Sequence, residues 1–210
     1  MQKIACYIDG FNLYHSIDDL NRPSLKWVNL FSLADSLTRD HEKLISVNYF
    51  SAFATWRPDQ YRRHRKYIKA LELVGVTVTM AHFKKKDRTC LKCGVNWVDH
   101  EEKETDVRLA LKMLEDCEDN IFDRAILISA DSDLVPVIQT IKKRSPKKTI
   151  LVATPPNRYS TGRDLRQNAH SSVEITPGRI AKHLLPDELQ DENGKQIVLR
   201  PQRYDPPVSS

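Results

Sequence analysis

Ala125-Ile-Leu-Ile-Ser-Ala-Asp-Ser-Asp-Leu-Val-Pro-Val-Ile-Gln-Thr-Ile141 holds the transition that decides the fold. The apolar run Ile126–Ile128 is too short for a helix and reads as a buried strand. It stops at Ser129, and helical spacing resumes at Leu134, with Pro136 suited to a first helical turn, where its missing N–H costs nothing. Asp131 or Ser132 is the natural N-cap. Carboxylates therefore stand where a strand hands over to a helix, the edge of an open α/β sheet at which ligands bind. The same aspartates also fit a plain capping role, and the rest of the chain decides between the two.

Working outward, Ile4–Ile8 reads as a first strand running into Asp9-Gly10-Phe11-Asn12. Leu13–Leu20 and Val28–Leu37 are predicted helices, and Leu44–Phe53 is rich in β-formers. Pro58 opens a helix that ends at Gly75, and Val76–Phe83 is a strand. A polar stretch at 84–100, carrying Cys90 and Cys93, reads as a loop. Thr105–Cys117 has the strongest helical period, with Val107, Ala110, Leu111 and Leu114 as its expected buried row. Thr149–Ala153 and Val173–Ile175 are further strands, and Leu165–Ala169 and a segment from Pro177 to near Pro186 are helices. Asn193-Gly194 signals a hairpin within Leu189–Leu199, and an irregular tail follows from Pro201. Alternating strands and helices predict an α/β chain with a mainly parallel central sheet covered on both faces.

The 210 residues suit one domain with an appendage, and 40% hydrophobic with 29% charged residues is ordinary globular composition. Neither a membrane span nor a signal peptide is visible, so the expectation is a cytoplasmic protein with no membrane partner. The formal charge of +5 is unevenly spread. Arg57, Arg62, Arg63, Arg65, Lys66 and Lys69 form one basic block, Lys84, Lys85, Lys86, Arg88 and Lys92 a second, and Lys142–Lys148 a third. Each block alone fits a solvated face; three together favour a polyphosphate partner, since each contact releases a condensed counterion.

The acidic residues converge. Asp9 follows the first strand as Asp131 and Asp133 follow a later one, which puts all three at one sheet edge if both strands are central and parallel. Asp106 lies just inside the best helix, in a row with Leu109, Ala110 and Met113, at the margin of the expected buried face. A carboxylate there is costly unless paired, hydrogen-bonded or bound to metal. Oxygen ligands without clustered histidine suit Mg²⁺ or Mn²⁺.

Tyr7-Ile8-Asp9-Gly10-Phe11-Asn12-Leu13-Tyr14, Glu102-Lys103-Glu104-Thr105-Asp106-Val107 and Ile128-Ser129-Ala130-Asp131-Ser132-Asp133-Leu134-Val135-Pro136 resemble, in the right order, the three signatures of the NYN domain. That family belongs to the PIN-like nuclease superfamily. The likeness spans about residues 1–176, and Leu185-Pro186-Asp187-Glu188 with Leu199-Arg200-Pro201 resembles an extension of the bacterial LabA/DUF88-like branch. The resemblance implies a PIN-like three-layer α/β/α sandwich, parallel strands ordered 3-2-1-4-5, a nuclease domain at 1–176 and a small C-terminal extension at 177–210. It implies a ribonuclease dependent on Mg²⁺ or Mn²⁺, with Asp9, Asp106, Asp131 and Asp133 as acidic ligands and catalytic residues. Asn12 would hold Asp9 or a phosphate, and Ser129 would support the ligands. Glu104 stands where the family commonly has glycine, leaving open whether it joins the metal site or faces solvent. RNA is the implied partner, with single-stranded DNA as the alternative, and Arg57, Arg62, Arg63, Arg65, Lys66, Lys84, Lys85, Lys86 and Arg88 as its contacts.

Cys6 and Cys117 read as buried small hydrophobes. Cys90-Leu-Lys-Cys93-Gly94 is half of a zinc knuckle. His82 and His100 flank it as candidate ligands for a structural Zn²⁺. A second chain is the other source, which would make a homodimer. A redox pair and plain reduced thiols are the alternatives. Trp56, Tyr61 and Trp97 stand beside basic residues and suit either base stacking or core packing. Two other functions fit parts of the pattern: Asp131-Ser-Asp133-Leu-Val135 matches the nucleophile loop of haloacid-dehalogenase-like phosphatases, although there the loop follows the first strand. A catalytically silent RNA- or protein-binding module on the same fold is the other.

Overall fold

A computed structural model describes residues 1–191 and 193–206. Among them a seven-stranded sheet is built from β1 (Gln2–Asp9), β2 (Glu42–Ala52), β3 (Val76–Thr89), β4 (Asn96–Lys103), β5 (Arg124–Ile128), β6 (Thr149–Thr154) and β7 (Ser171–Glu174). The order is β4-β3-β2-β1-β5-β6-β7, and every neighbouring pair is parallel except β3–β4. The first five parallel strands thus follow the expected 3-2-1-4-5 order. A parallel sheet covered on both faces needs strands with continuous apolar runs, and β1 and β5 supply them: Ile4–Ile8 and Ala125–Ile128 are apolar and buried without interruption.

Alternate side chains of β1 feed two cores. Ile4, Cys6 and Ile8 pack with α1 (Gly10–Asp18), α2 (Leu30–Asp35), α3 (Pro58–Leu73) and α7 (Pro177–Lys182). Ala5 and Tyr7 pack with α4 (Thr105–Glu118), α5 (Val135–Arg144) and α6 (Arg163–Asn168). The result is the expected α/β/α sandwich. The C-terminal extension forms the hairpin β8 (Glu188–Gln190) and β9 (Gln196–Leu199), whose turn uses Gly194 at φ +76°. Leu185, Leu189, Val198 and Tyr204 close a third core around Trp27 and Ala70, so the extension seals the outside of α3. The tail from Pro201 is not wholly irregular, since Gln202–Tyr204 makes a 3-10 turn that anchors Tyr204. Pro207–Ser210 lie outside the described residues. Among those described, no helix is long and apolar enough to cross a membrane.

Two sequence expectations change. The stretch at 84–100 is an antiparallel arm: β3 continues to Thr89 and pairs with β4 from His82↔Lys103 to Thr89↔Asn96. Both of its faces meet solvent over most of its length, so it lacks the apolar alternation that marks a half-buried strand. Cross-strand pairs Lys86–Glu101 and Arg88–Asp99, each at 3.5 Å, line it instead. The second change is a rotation of α4. Val107 and Leu111 are exposed, and the buried row is Leu109, Met113, Asp116 and Cys117. The buried Asp116 accepts a 2.7 Å hydrogen bond from the Tyr7 hydroxyl of β1 and one of 2.8 Å from Lys112. A polar anchor at 116 hides that row from a purely apolar pattern.

Candidate metal centre and adjoining cleft

Asp9 ends β1 and caps α1, accepting a 3.0 Å hydrogen bond from the Asn12 backbone N–H on Oδ1. Its Oδ2 accepts from the Ser129 hydroxyl at 2.8 Å, and Ser129 Oγ in turn accepts from the Asp131 N–H at 3.0 Å. The Asn12 side chain accepts from the Ala130 N–H at 3.1 Å, so Asn12 holds Asp9 through its backbone and not its side chain. Asn12 and Ser129 therefore clamp the two strand–helix junctions together. Gly10 permits this packing: a Cβ there would stand 2.5 Å from the Phe50 carbonyl oxygen and 2.7 Å from the Tyr49 ring.

Asp106 stands in line with Leu109 and Met113 in the first turn of α4 and is only half-buried, at the margin of the buried face as expected. One carboxylate oxygen from each of Asp9, Asp106 and Asp131 lies within 4.8 Å of the other two. Asp131 caps the short 3-10 turn Ser132–Leu134 through Oδ1, and the capping and clustering roles coexist. Asp133 is exposed and stands outside the cluster, although its charge still acts on Asp106. Burial raises the pKa of Asp9 to about 6, with the neighbouring Asp131 and Glu102 adding to it against the lowering hydrogen bonds from Asn12 and Ser129. Burial, then Asp9, Asp131, Glu102 and Asp133, raise Asp106 to about 7. Crowded, desolvated oxygen donors suit a hard divalent cation, and Thr105 Oγ1, beside Asp106, is buried without a partner among the described residues.

These shifts carry a stability prediction. A carboxyl whose folded pKa exceeds its unfolded value binds more protons when folded, so stability falls as pH rises from about 4 to about 7. Two such groups, the half-exposed Asp106 discounted for screening, amount to roughly 2–4 kcal/mol, or a Tm lower by roughly 5–10 °C at neutral pH. Metal-free protein should lose Tm between about pH 4 and pH 7, and Asp106→Asn should remove much of that loss. Thermal melts across this range in EDTA and in Mn²⁺ check it, with Mn²⁺ raising Tm most at high pH.

Glu104 does not join the cluster. It adopts φ +75° at the N-cap of α4, its carboxylate meets Arg108 at 2.8 Å and lies 3.9 Å from His82. That left-handed backbone explains why glycine suits the position. Glu104→Gly should change stability by no more than about 1 kcal/mol, because relief of the left-handed conformation offsets glycine entropy and the exposed pair. The metal-induced rise in Tm should survive it; loss of that rise would make Glu104 part of the site. The carboxylate that sequence reasoning passed over is Glu102. It lies opposite Phe83 in the arm, accepts the Thr105 N–H at 3.1 Å, and acts on both Asp9 and Asp106. Opposite residues of an antiparallel pair share a face, so recognising the arm would have revealed it.

The candidate histidines are not brought to the cysteine pair. Cys90 and Cys93 lie at the tip of the arm, where the Cys93 thiol and the N–H groups of Lys92 and Cys93 hold the Cys90 pKa below that of an ordinary thiol. Gly94, at φ +71°, completes the turn. His100 pairs with Lys85, four residues or roughly 13 Å down the strand from the tip, and His82 lies farther still. His100 instead stacks on Trp56 at 3.7 Å.

The basic blocks also separate. Arg57 and Arg63 face a cleft beside the carboxylates. Arg62 pairs with Asp59, Arg65 lies over Tyr61, and Lys66 is exposed. Lys84, Lys85, Lys86 and Arg88 line the arm, the last two in ion pairs. The third block lies at the opposite edge of the sheet and is partly structural: Lys148 is buried on Asn120 and Phe122, and Arg144 pairs with Glu118. The cleft, of about 480 Å³, runs between α1 and α3 from Gly10 and Glu102 to Tyr204 of the extension.

The sequence pattern of the family described as NYN domain matches residues 3–176. A 6-hydroxy-3-succinoylpyridine 3-monooxygenase of Pseudomonas putida is 25% identical over 96% of this chain and 75% of its own length. A crystal structure of a protein of unknown function from Vibrio parahaemolyticus superposes with a TM-score of 0.57 at 24% identity, covering 88% of this chain and 96% of that one, a likeness of fold.

Proposed function

The chain belongs to the NYN domain family, a nuclease-like PIN fold, and on that premise we propose that it is a metal-dependent ribonuclease. The observation that carries the reading is the convergence of Asp9, Asp106 and Asp131 at the C-terminal edge of the parallel sheet. These carboxylates would hold Mg²⁺ or Mn²⁺, with Glu102 and Asp133 adding negative charge nearby. Such an ion, when bound, lowers the pKa of coordinated water and neutralises charge on a departing phosphate oxygen.

The chain's own residues would do the positioning. Ser129 and the Asn12 N–H fix both oxygens of Asp9. The Asn12–Ala130 bond keeps Asp131 at its distance from Asp9. Arg57 and Arg63, unlike the third basic block, lie where a strand crossing the edge would bring its phosphates. The test is incubation of labelled RNA and DNA with Mn²⁺, Mg²⁺ or EDTA. Cleavage of RNA that EDTA stops is expected; RNA left intact with both metals would turn the reading to a silent binding module.

The relative named as a monooxygenase invites a second reading, which the aromatic cleft beside the carboxylates favours: a site for a small heteroaromatic acid. Consumption of 6-hydroxy-3-succinoylpyridine with oxygen uptake and matching oxidation of an added two-electron reductant such as a reduced nicotinamide, in place of RNA cleavage, would support it.

A further inference from the structure

The cleft has features that holding metal ions does not require. Phe11 stands two residues beyond Asp9, in the first turn of α1, and meets the Phe83 ring edge-on at 5.4 Å. Trp56 also meets Phe83, at 4.7 Å, and lies flat on His100, 3.7 Å away with 10° between the planes. These rings come from α1, the loop before α3, β3 and β4. Phe11 and Trp56 are only partly buried, so they present surface as well as packing. Arg57 and Arg63 stand at the rim, and Lys26, the third cation there, is taken up by Asp18. His64 lines the wall; burial lowers its pKa to about 4, so the imidazole is neutral at physiological pH.

We infer that this cleft is a nucleobase subsite: one unstacked base of the RNA strand inserts against Trp56 and Phe11, while its phosphate lies at the acidic edge. Three observations select a base over other occupants. The cleft is lined by Gly10, next in the chain to Asp9, and by Glu102, whose charge acts on Asp9 and Asp106, so a base seated there would leave its own phosphate near the carboxylates. Its volume of about 480 Å³ falls within the roughly 300–1,000 Å³ of pockets that take small ligands. Its walls pair aromatic faces with rim arginines, the combination that binds single-stranded nucleic acid without strict sequence choice. The identity of the occupant rests on reading the acidic edge as a phosphate site; the stacking does not require cleavage.

The test separates the two. In an Asp131→Asn background, to keep RNA intact, short labelled single-stranded RNA is titrated with Mn²⁺ present, using intact strands and strands with one abasic position moved along the sequence. Trp56→Ala should weaken binding of intact RNA roughly 5- to 100-fold, and Trp56→Phe should restore most of it. One abasic position should cost the Trp56-containing protein a similar factor and Trp56→Ala little. Because Trp56→Ala could disturb the arm, tryptophan fluorescence gives a second reading: adenosine monophosphate should quench it, ribose 5-phosphate should not, and Trp56→Phe should remove the quench. Equal affinity of Trp56→Ala and parent, or abasic losses unchanged by Trp56→Ala, would overturn the subsite. So would quenching by 6-hydroxy-3-succinoylpyridine without quenching by nucleotides. If RNA binds through Trp56 yet the parent never cuts it, the nuclease reading fails and the subsite stands. If the parent cuts and Trp56→Ala treats intact and abasic RNA alike, the reverse holds.

Discussion

Asp131→Asn is expected to reduce Mn²⁺-dependent RNA cleavage by more than about 100-fold, beyond the 10–100-fold that losing a supporting hydrogen bond costs a metal site. Asparagine keeps the size of the side chain and one oxygen able to accept the Asp133 N–H, so the 3-10 turn should survive. What it removes is negative charge among three carboxylates crowded within 4.8 Å. Ser129→Ala supplies the comparison. It deletes the hydroxyl that donates to Asp9 and accepts the Asp131 N–H, and should cost roughly 10–100-fold. Initial cleavage rates across a Mn²⁺ series decide the matter. Parent-like rates for Asp131→Asn would remove Asp131 from the site, and a larger loss for Ser129→Ala would mean that the loop, not the charge, is what matters.

The largest effect on stability is expected at the opposite edge of the sheet. Glu42, at the start of β2, and Arg124, at the start of β5, form a buried bidentate pair; Arg124 also donates to the Leu37 carbonyl at 3.2 Å, and the Arg39 N–H donates to Glu42. Burial would raise the Glu42 carboxyl, but the Arg124 hydrogen bonds and charge and the Arg39 N–H outweigh it and hold the pKa below its usual value. Glu42→Ala leaves a guanidinium buried without its partner, at a cost of about 3–5 kcal/mol. Chemical denaturation should show that loss, and Glu42→Leu combined with Arg124→Met should recover much of it. RNA cleavage by the folded fraction at low temperature should be unchanged, because the pair lies across the sheet from the carboxylates. A Glu42→Ala protein as stable as the parent would show that the guanidinium finds water or another acceptor.

Much of the site was legible because strand ends are legible. Asp9 and Asp131 each follow an apolar run whose burial on both faces leaves no other reading, and parallel strands put such ends on one edge. Asp106 was legible as a charge at the margin of a buried face, but the full row behind it was not, since the anchor at Asp116 is itself a charge, satisfied by Tyr7 and Lys112. Glu104 and Glu102 show the limit. Two residues apart, they look equivalent in sequence, yet the left-handed turn at 104 points one to Arg108 while the arm points the other to Asp9 and Asp106.

The sequence by itself determined the layering and the acidic edge, because each follows from local apolar runs and from what stops them; the strand order was an implication of the resemblance to the NYN domain. Tertiary structure alone decided the register of the arm, the separation of the cysteines from the histidines, the retirement of the third basic block to the far edge, and the cleft. The physical reason is the same throughout. Hydrophobic burial repeats along the chain and leaves a periodic trace. Convergence of Phe11, Trp56, Phe83, His100 and Tyr204 depends instead on crossing connections and on cross-strand ion pairs that cancel in composition.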